Sequence, residues 1–125
     1  MLYVILVLSS WFRLFMTIYF VTRDLGALAW AEQNHLHFDV HLEHLLDLQQ
    51  LNANDVIIGT LPINMVFQLN QKGVRYIHLS LDIPPQLRGV ELNVEQLHAC
   101  KAALEEFVVQ KKVFDMSALF ADSGD

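Results

Sequence analysis

Nine residues, Val56-Ile-Ile-Gly-Thr-Leu-Pro-Ile-Asn64, restrict the fold of this chain more than any others. Val56, Ile57 and Ile58 form an unbroken apolar run, so a strand here has no wet face and belongs inside a sheet covered on both sides. Gly59 and Thr60 mark where the chain leaves that sheet. Pro62 suits the first turn of a helix, where its missing N–H costs nothing. The helix is expected over 62–72, through Val66, Phe67 and Leu69, with a stop near Gly73. A strand that passes through a small residue and a hydroxyl into a helix start makes an anion site, because the free N–H groups and the helix dipole point at the same spot.

The flanking segments repeat the pattern. Thr17 to Val21 is β-branched and aromatic and suits a strand. Thr22-Arg23-Asp24 follows it, with Asp24 able to cap a helix that begins near Leu25. Gly26 in that first turn lets a ligand or another backbone come close. Trp30 suits the core or an interface better than a stacked ligand. Leu36 to Leu45 alternates weakly as a further strand, and Asn52-Ala-Asn-Asp55 is turn chemistry. Central strands are expected at 55–60 and 74–81. Ile83 to Gly89 forms a proline-stiffened loop after the second of them. Asn93 and Gln96 form a capping box for a last helix to Val109, with Val94, Leu97, Cys100, Leu104, Phe107 and Val108 as its apolar stripe. Residues 111–125 are expected to be a frayed tail. Strand–helix–strand units of this length predict an α/β fold with a mostly parallel sheet and right-handed crossovers. Ligands of such sheets bind beyond the carboxyl ends of the strands. Thr22-Arg23, Gly59-Thr60 and Ser80 to Asp82 all fall there.

Composition narrows the classes. The 125 residues suit one domain, and the formal net charge of −6 argues against a partner such as duplex nucleic acid, which needs a broad basic face. A small anion held by a few local arginines remains open. The single cysteine, Cys100, excludes an internal disulfide framework and fits a reducing cytoplasm. Residues 1–15 are apolar with Arg13 among them. They are read as an upstream extension, with a membrane-touching amphipathic helix as the alternative and a spanning helix disfavoured. Neither Gly-x-Gly-x-x-Gly nor a Gly-Lys-Thr phosphate loop occurs, which argues against a standard dinucleotide or ATP enzyme.

Each candidate residue has a plainer reading beside the functional one. Arg23 suits a phosphate gripped bidentately, or a salt bridge to Asp24 or Asp82. Thr60 offers a hydroxyl to a phosphate or satisfies its own turn. His78, Ser80 and Asp82 share one face of their strand. His78 there moves a proton near neutral pH, or is a buried structural histidine. Arg88, between Pro85 and Gly89, closes over an anion or is a surface charge. His35, His37, His41 and His44 crowd one segment with Asp39 and Glu43, yet no pair has a recognised zinc spacing on an established helix and no cysteine joins them, so no metal is assigned. Cys100 reads as an inert core thiol.

From Met16 to about Val109 the chain resembles a small CRISPR-associated family of type III loci, written Csx-sixteen. The residues that carry the likeness are Tyr19-Phe-Val-Thr-Arg23, Gly26-Ala27, Trp30-Ala31, Gly59-Thr-Leu-Pro62, Arg75-Tyr76, His78-Leu-Ser-Leu-Asp82, Pro84, Leu87-Arg-Gly89, Glu91-Leu92, Leu104-Glu105 and Phe107. Asp24-Leu25 stands where the family has a His-Pro or similar pair. The resemblance implies a single Rossmann-like domain over 16–110, related to the CARF domains that sense cyclic oligoadenylates. It implies a ring nuclease that degrades cyclic tetra-adenylate without a metal or other cofactor, by attack of a ribose 2′-hydroxyl on the neighbouring phosphate. Arg23, Thr60 and His78 are the catalytic candidates under that reading. Thr22, Gly26, Gly59, Ser80, Asp82 and Arg88 are the ligand-binding candidates. A non-catalytic module that sequesters the same ligand, and a metal-dependent hydrolase built on the histidines, are the competing functions. A homodimer with the ring on its two-fold axis is expected, because one set of strand ends is too small to enclose it.

Overall fold

A computed structural model describes residues 16–45 and 47–121 of the chain. The expected extension at 1–15 lies outside the described residues. Five strands form one sheet: β1 (Ile18–Val21), β2 (Val40–Leu42), β3 (Val56–Gly59), β4 (Arg75–Ser80) and β5 (Ala103–Phe107). Their order is β2-β1-β3-β4-β5, with the first four parallel and β5 antiparallel to β4. Among the described residues three helices flank it: α1 (Leu25–Gln33), α2 (Ile63–Gln71) and α3 (Val94–Ala99). This is a small Rossmann-like domain.

The apolar run at 56–58 is a central strand for the reason its sequence suggests. Val56 and Ile58 point into one core with Phe20, Trp30, Leu79 and Leu97. Ile57 points into a second with Val21, Val66, Leu69 and Tyr76. The first core lies under α1 and α3, the second under α2. From β1 the chain moves outward to β2, and from β3 it moves the opposite way to β4. Right-handed crossovers of opposite direction put their helices on opposite faces. The strand order therefore reverses between β1 and β3.

Asp55, 2% exposed, ties the starts of these two strands together. Its carboxylate accepts from the N–H groups of Thr17 at 3.1 Å and Asn52 at 2.8 Å. Pro62 is the residue just before α2 rather than inside its first turn, and its carbonyl accepts from Met65 and Val66.

The last helix is much shorter than expected. The capping box of Asn93 and Gln96 forms, but the helix ends at Cys100. Lys101 takes a left-handed φ of 58°, and Ala102 N–H returns to Leu97 O. The chain then reverses into β5, which pairs Leu104 with Leu79 and Phe107 with Tyr76. Only the front of the expected apolar stripe is core: Leu97 and Cys100 are buried, whereas Val108 is 71% exposed. Residues 110–121 are exposed throughout, with one short turn of 3-10 helix at Ser117–Leu119. Among the described residues no helix is long and apolar enough to cross a membrane.

Candidate functional site

A cavity of about 550 Å³ opens where β1, β2 and β3 end, at the reversal of strand order. Thr22, Arg23, Asp24, Glu43, His44, Thr60, Leu61 and Met65 line it. Thr22 is fixed by its own backbone, whose N–H donates to Leu42 O at 2.9 Å. Its hydroxyl oxygen accepts from Asp24 N–H at 3.0 Å, and its carbonyl lies 2.8 Å from His41 Nε2. Gly59 is buried at the end of β3, just before the cavity-lining Thr60. A Cβ there would stand 2.8 Å from Val21 O, so glycine lets the ends of β3 and β1 close on each other.

The two helix starts beside this sheet differ in what already occupies them. At α1 the Asp24 carboxylate accepts from Gly26 N–H at 2.9 Å, and Glu91 Oε1 faces Leu25 N–H at 3.4 Å. A Cβ on Gly26 would stand 1.8 Å from Leu92 O. Gly26 therefore serves the approach of another backbone, and it lies outside the cavity. Two carboxylates already face that dipole end, and their charge disfavours an external anion there. At α2 no side chain caps the helix. Its first N–H groups open beside the exposed Thr60, as an anion site requires. Arg23 is exposed as well, and among the described residues no carboxylate pairs with it. The salt bridge to Asp24 or Asp82 is not formed.

A second, mainly apolar cavity of about 330 Å³ adjoins the first, sharing Leu61. Ile63, Val66, Tyr76, His78, Phe107 and Val108 line it. The His78 ring lies between those of Tyr76 and Phe107, with both centroids 5.7 Å away. Its Nδ1 is 2.6 Å from Tyr76 Oη. Burial pushes the Tyr76 phenol above its ordinary pKa, so the group stays neutral.

The structure thus brings Thr22, Arg23, Gly59 and Thr60 to one place and His78 to the next. Ser80, Asp82 and Arg88 line neither cavity. Ser80 pairs with Ala103, and Asp82 N–H donates to Cys100 O at 2.7 Å, so the end of β4 is held toward the α3–β5 turn. Arg88 is exposed after a short turn at Pro85–Leu87. Among the described residues no three His, Cys, Asp or Glu side chains could hold a metal ion. His37 sits 3.3 Å from Asp39, and His41 is used by Thr22. Sequence reasoning weighed Glu43 and His44 only as metal ligands and passed over Met65; the first two reach the cavity from just after the three-residue β2, the third from the first turn of α2. It also passed over Tyr76, although its two-residue spacing from His78 places both on one face.

The family model described as "Putative CRISPR-associated protein (Cas_VVA1548)" matches residues 19–110. No curated protein and no solved structure matches the chain.

Proposed function

Because the chain belongs to this CRISPR-associated family, we propose that it is a ring nuclease of the Csx-sixteen kind, which opens cyclic tetra-adenylate and so ends type III antiviral signalling. The observation that carries the reading is the pairing of an uncapped α2 start with an Arg23 that is unpaired among the described residues, in one cavity, with His78 across Leu61. A phosphodiester would sit between Arg23, the Thr60 hydroxyl and the first N–H groups of α2. Its 2′-oxygen attacks phosphorus, the bond from phosphorus to the 5′-oxygen breaks, and a 2′,3′-cyclic phosphate forms. The cationic and N–H groups stabilise the charge that grows on the phosphorane, and the site aligns the attack. His78 takes the 2′-hydroxyl proton and returns it to the leaving 5′-oxygen. The reaction needs no metal in this scheme. Two chains acting as a homodimer would share one ring.

The second reading is a module that holds the ring without cutting it. The separation of His78 from the Arg23 cavity favours it. Incubation with labelled cyclic tetra-adenylate in EDTA tests both. The expected result is linear product ending in 2′,3′-cyclic phosphate. A bound but intact ring would establish the sequestering module, and cleavage only after metal is added would overturn the metal-free reaction.

A further inference from the structure

Tyr76 is the most heavily used polar group near the site. It is 2% exposed, yet its hydroxyl meets three partners. Leu61 N–H lies 2.9 Å away, Gly59 O 3.1 Å away and His78 Nδ1 2.6 Å away. A phenol has one hydrogen to give and two lone pairs to accept with. Leu61 N–H can only donate, so it takes one lone pair. Gly59 O can only accept, so it takes the hydrogen. One lone pair is left, and it faces His78 Nδ1. That nitrogen must therefore bring the hydrogen. The opposite arrangement, with the phenol donating to Nδ1, would set the hydroxyl oxygen and the buried Gly59 carbonyl lone pair to lone pair.

A neutral imidazole with hydrogen on Nδ1 has its lone pair on Nε2. Among the described residues Nε2 has no hydrogen-bond partner, and no buried side-chain nitrogen or oxygen lacks one. Nε2 is thus reached from the cavity that His78 lines.

We propose that Tyr76 is a positioning residue: its hydroxyl fixes neutral His78 as the Nδ1–H tautomer, presents Nε2 as an acceptor to the second cavity, and with the same atom pins the backbone on either side of Thr60. The tautomer stands on this geometry alone. That Nε2 takes the ribose 2′-hydroxyl proton rests on the ring-nuclease reading. In that step the bond from the 2′-oxygen to phosphorus forms and the proton passes to Nε2. The bond to the 5′-oxygen breaks, and the proton passes on to that oxygen. Nδ1–H stays on Tyr76 throughout, and nothing is oxidised or reduced.

The test is long-range 1H–15N correlation of the histidine rings at about pH 8, where an ordinary imidazole is neutral. His78→Asn identifies the His78 signals by their loss. The expected spectrum of the unaltered protein has a protonated-type Nδ1 and an unprotonated-type Nε2. The reverse pattern overturns the proposal, and this arm needs no variant of Tyr76. Tyr76→Phe keeps the ring and removes the hydroxyl. It is expected to turn the His78 signals into a tautomer mixture and to lower kcat on cyclic tetra-adenylate at least about tenfold, with KM little changed. Unchanged ring shifts in Tyr76→Phe would also overturn it. If the unaltered protein shows Nδ1–H but cuts no ring, the ring-nuclease reading fails while the tautomer assignment is upheld.

Discussion

Arg23 and Asp24 are neighbours with opposite employment. The Asp24 carboxylate is committed to the start of α1, while Arg23 is exposed and unpaired among the described residues. Removing an exposed side chain with no partner changes stability by less than about 0.5 kcal/mol. Losing a charge-assisted contact to phosphate costs about 1.5–3 kcal/mol. Arg23→Ala is therefore expected to weaken cyclic tetra-adenylate binding by more than about tenfold at an unchanged melting temperature, read by titration and thermal melt. A collapsed melt with unaltered affinity per folded molecule would make Arg23 a structural residue. Gly26 predicts the reverse. The atom a Cβ would meet, Leu92 O, is backbone and cannot swing aside. Gly26→Ala should cost about 1–3 kcal/mol in denaturant unfolding, with ligand affinity of the folded protein intact. A loss of affinity without loss of stability would return Gly26 to the binding site. Sequence alone offered both roles for this glycine, since it shows that something comes close and not what. Tyr76 was harder still. Local spacing sets it beside His78, two positions on, but does not announce its contacts to residues 15 and 17 positions away.

The three α-helices of the described residues stop in the same way, on a residue with left-handed φ: His35 after α1, Gly73 after α2 and Lys101 after α3. In each case the next N–H returns to a carbonyl five residues back: Leu36 to Ala31, Val74 to Leu69 and Ala102 to Leu97. Only one of these stops is a glycine. That is why α2 was legible in the sequence and the end of α3 was not. Leu104, Phe107 and Val108 fit a helical stripe by spacing, and nothing before them flags a turn. The strand forms because the free edge of β4 offers a ladder that local spacing cannot reveal. Lys101→Gly should relieve the left-handed strain and raise stability by about 0.5–1 kcal/mol after its cost in unfolded-state entropy. A lower melting temperature for this variant would show that the lysine side chain has a structural task. The β4–β5 pair also carries the ion pair Arg75–Glu106, at 2.8 Å. Its hydrogen bond to Arg75 holds the Glu106 carboxyl below its ordinary pKa. A depressed carboxyl contributes stability that is present above the unfolded pKa and lost as pH falls through the folded one. Both side chains are more than a third exposed, so solvent limits the effect to under about 1 kcal/mol. Glu106→Gln should remove that much at neutral pH in low salt and nothing in acid; a larger loss that salt does not reduce would show a different role.

At the scale of the molecule, the position of the site was more legible than its reach. Apolar runs end where strands end, so Thr22-Arg23 and Gly59-Thr60 could be placed together in advance. The departure of Ser80 and Asp82 followed from β5, which was not foreseen. The same error bears on how two chains would meet. Trp30 was a candidate contact, but it is 6% exposed and belongs to the core. Ile83 and Leu87 pack against that core as well. Exposed apolar surface gathers instead beside the second cavity, at Ile63 (71%), Phe107 (42%) and Val108 (71%). A cyclic tetra-adenylate has its own two-fold symmetry, and one cavity of about 550 Å³ does not enclose four nucleotides. Two copies meeting through an isologous contact would present two Arg23 side chains to opposite phosphates, a local cationic centre in a chain of net charge −6. Light scattering at micromolar concentration should then give twice the 14.4 kDa chain mass, with one ring bound per two chains. Val108→Glu, which puts a charge on the exposed apolar surface, should shift the particle toward one chain mass and weaken ring binding without lowering the melting temperature of the monomer. A particle of one chain mass that binds a whole ring would reject the dimer, and the Arg23 cavity would then have to serve one phosphate of the ring at a time.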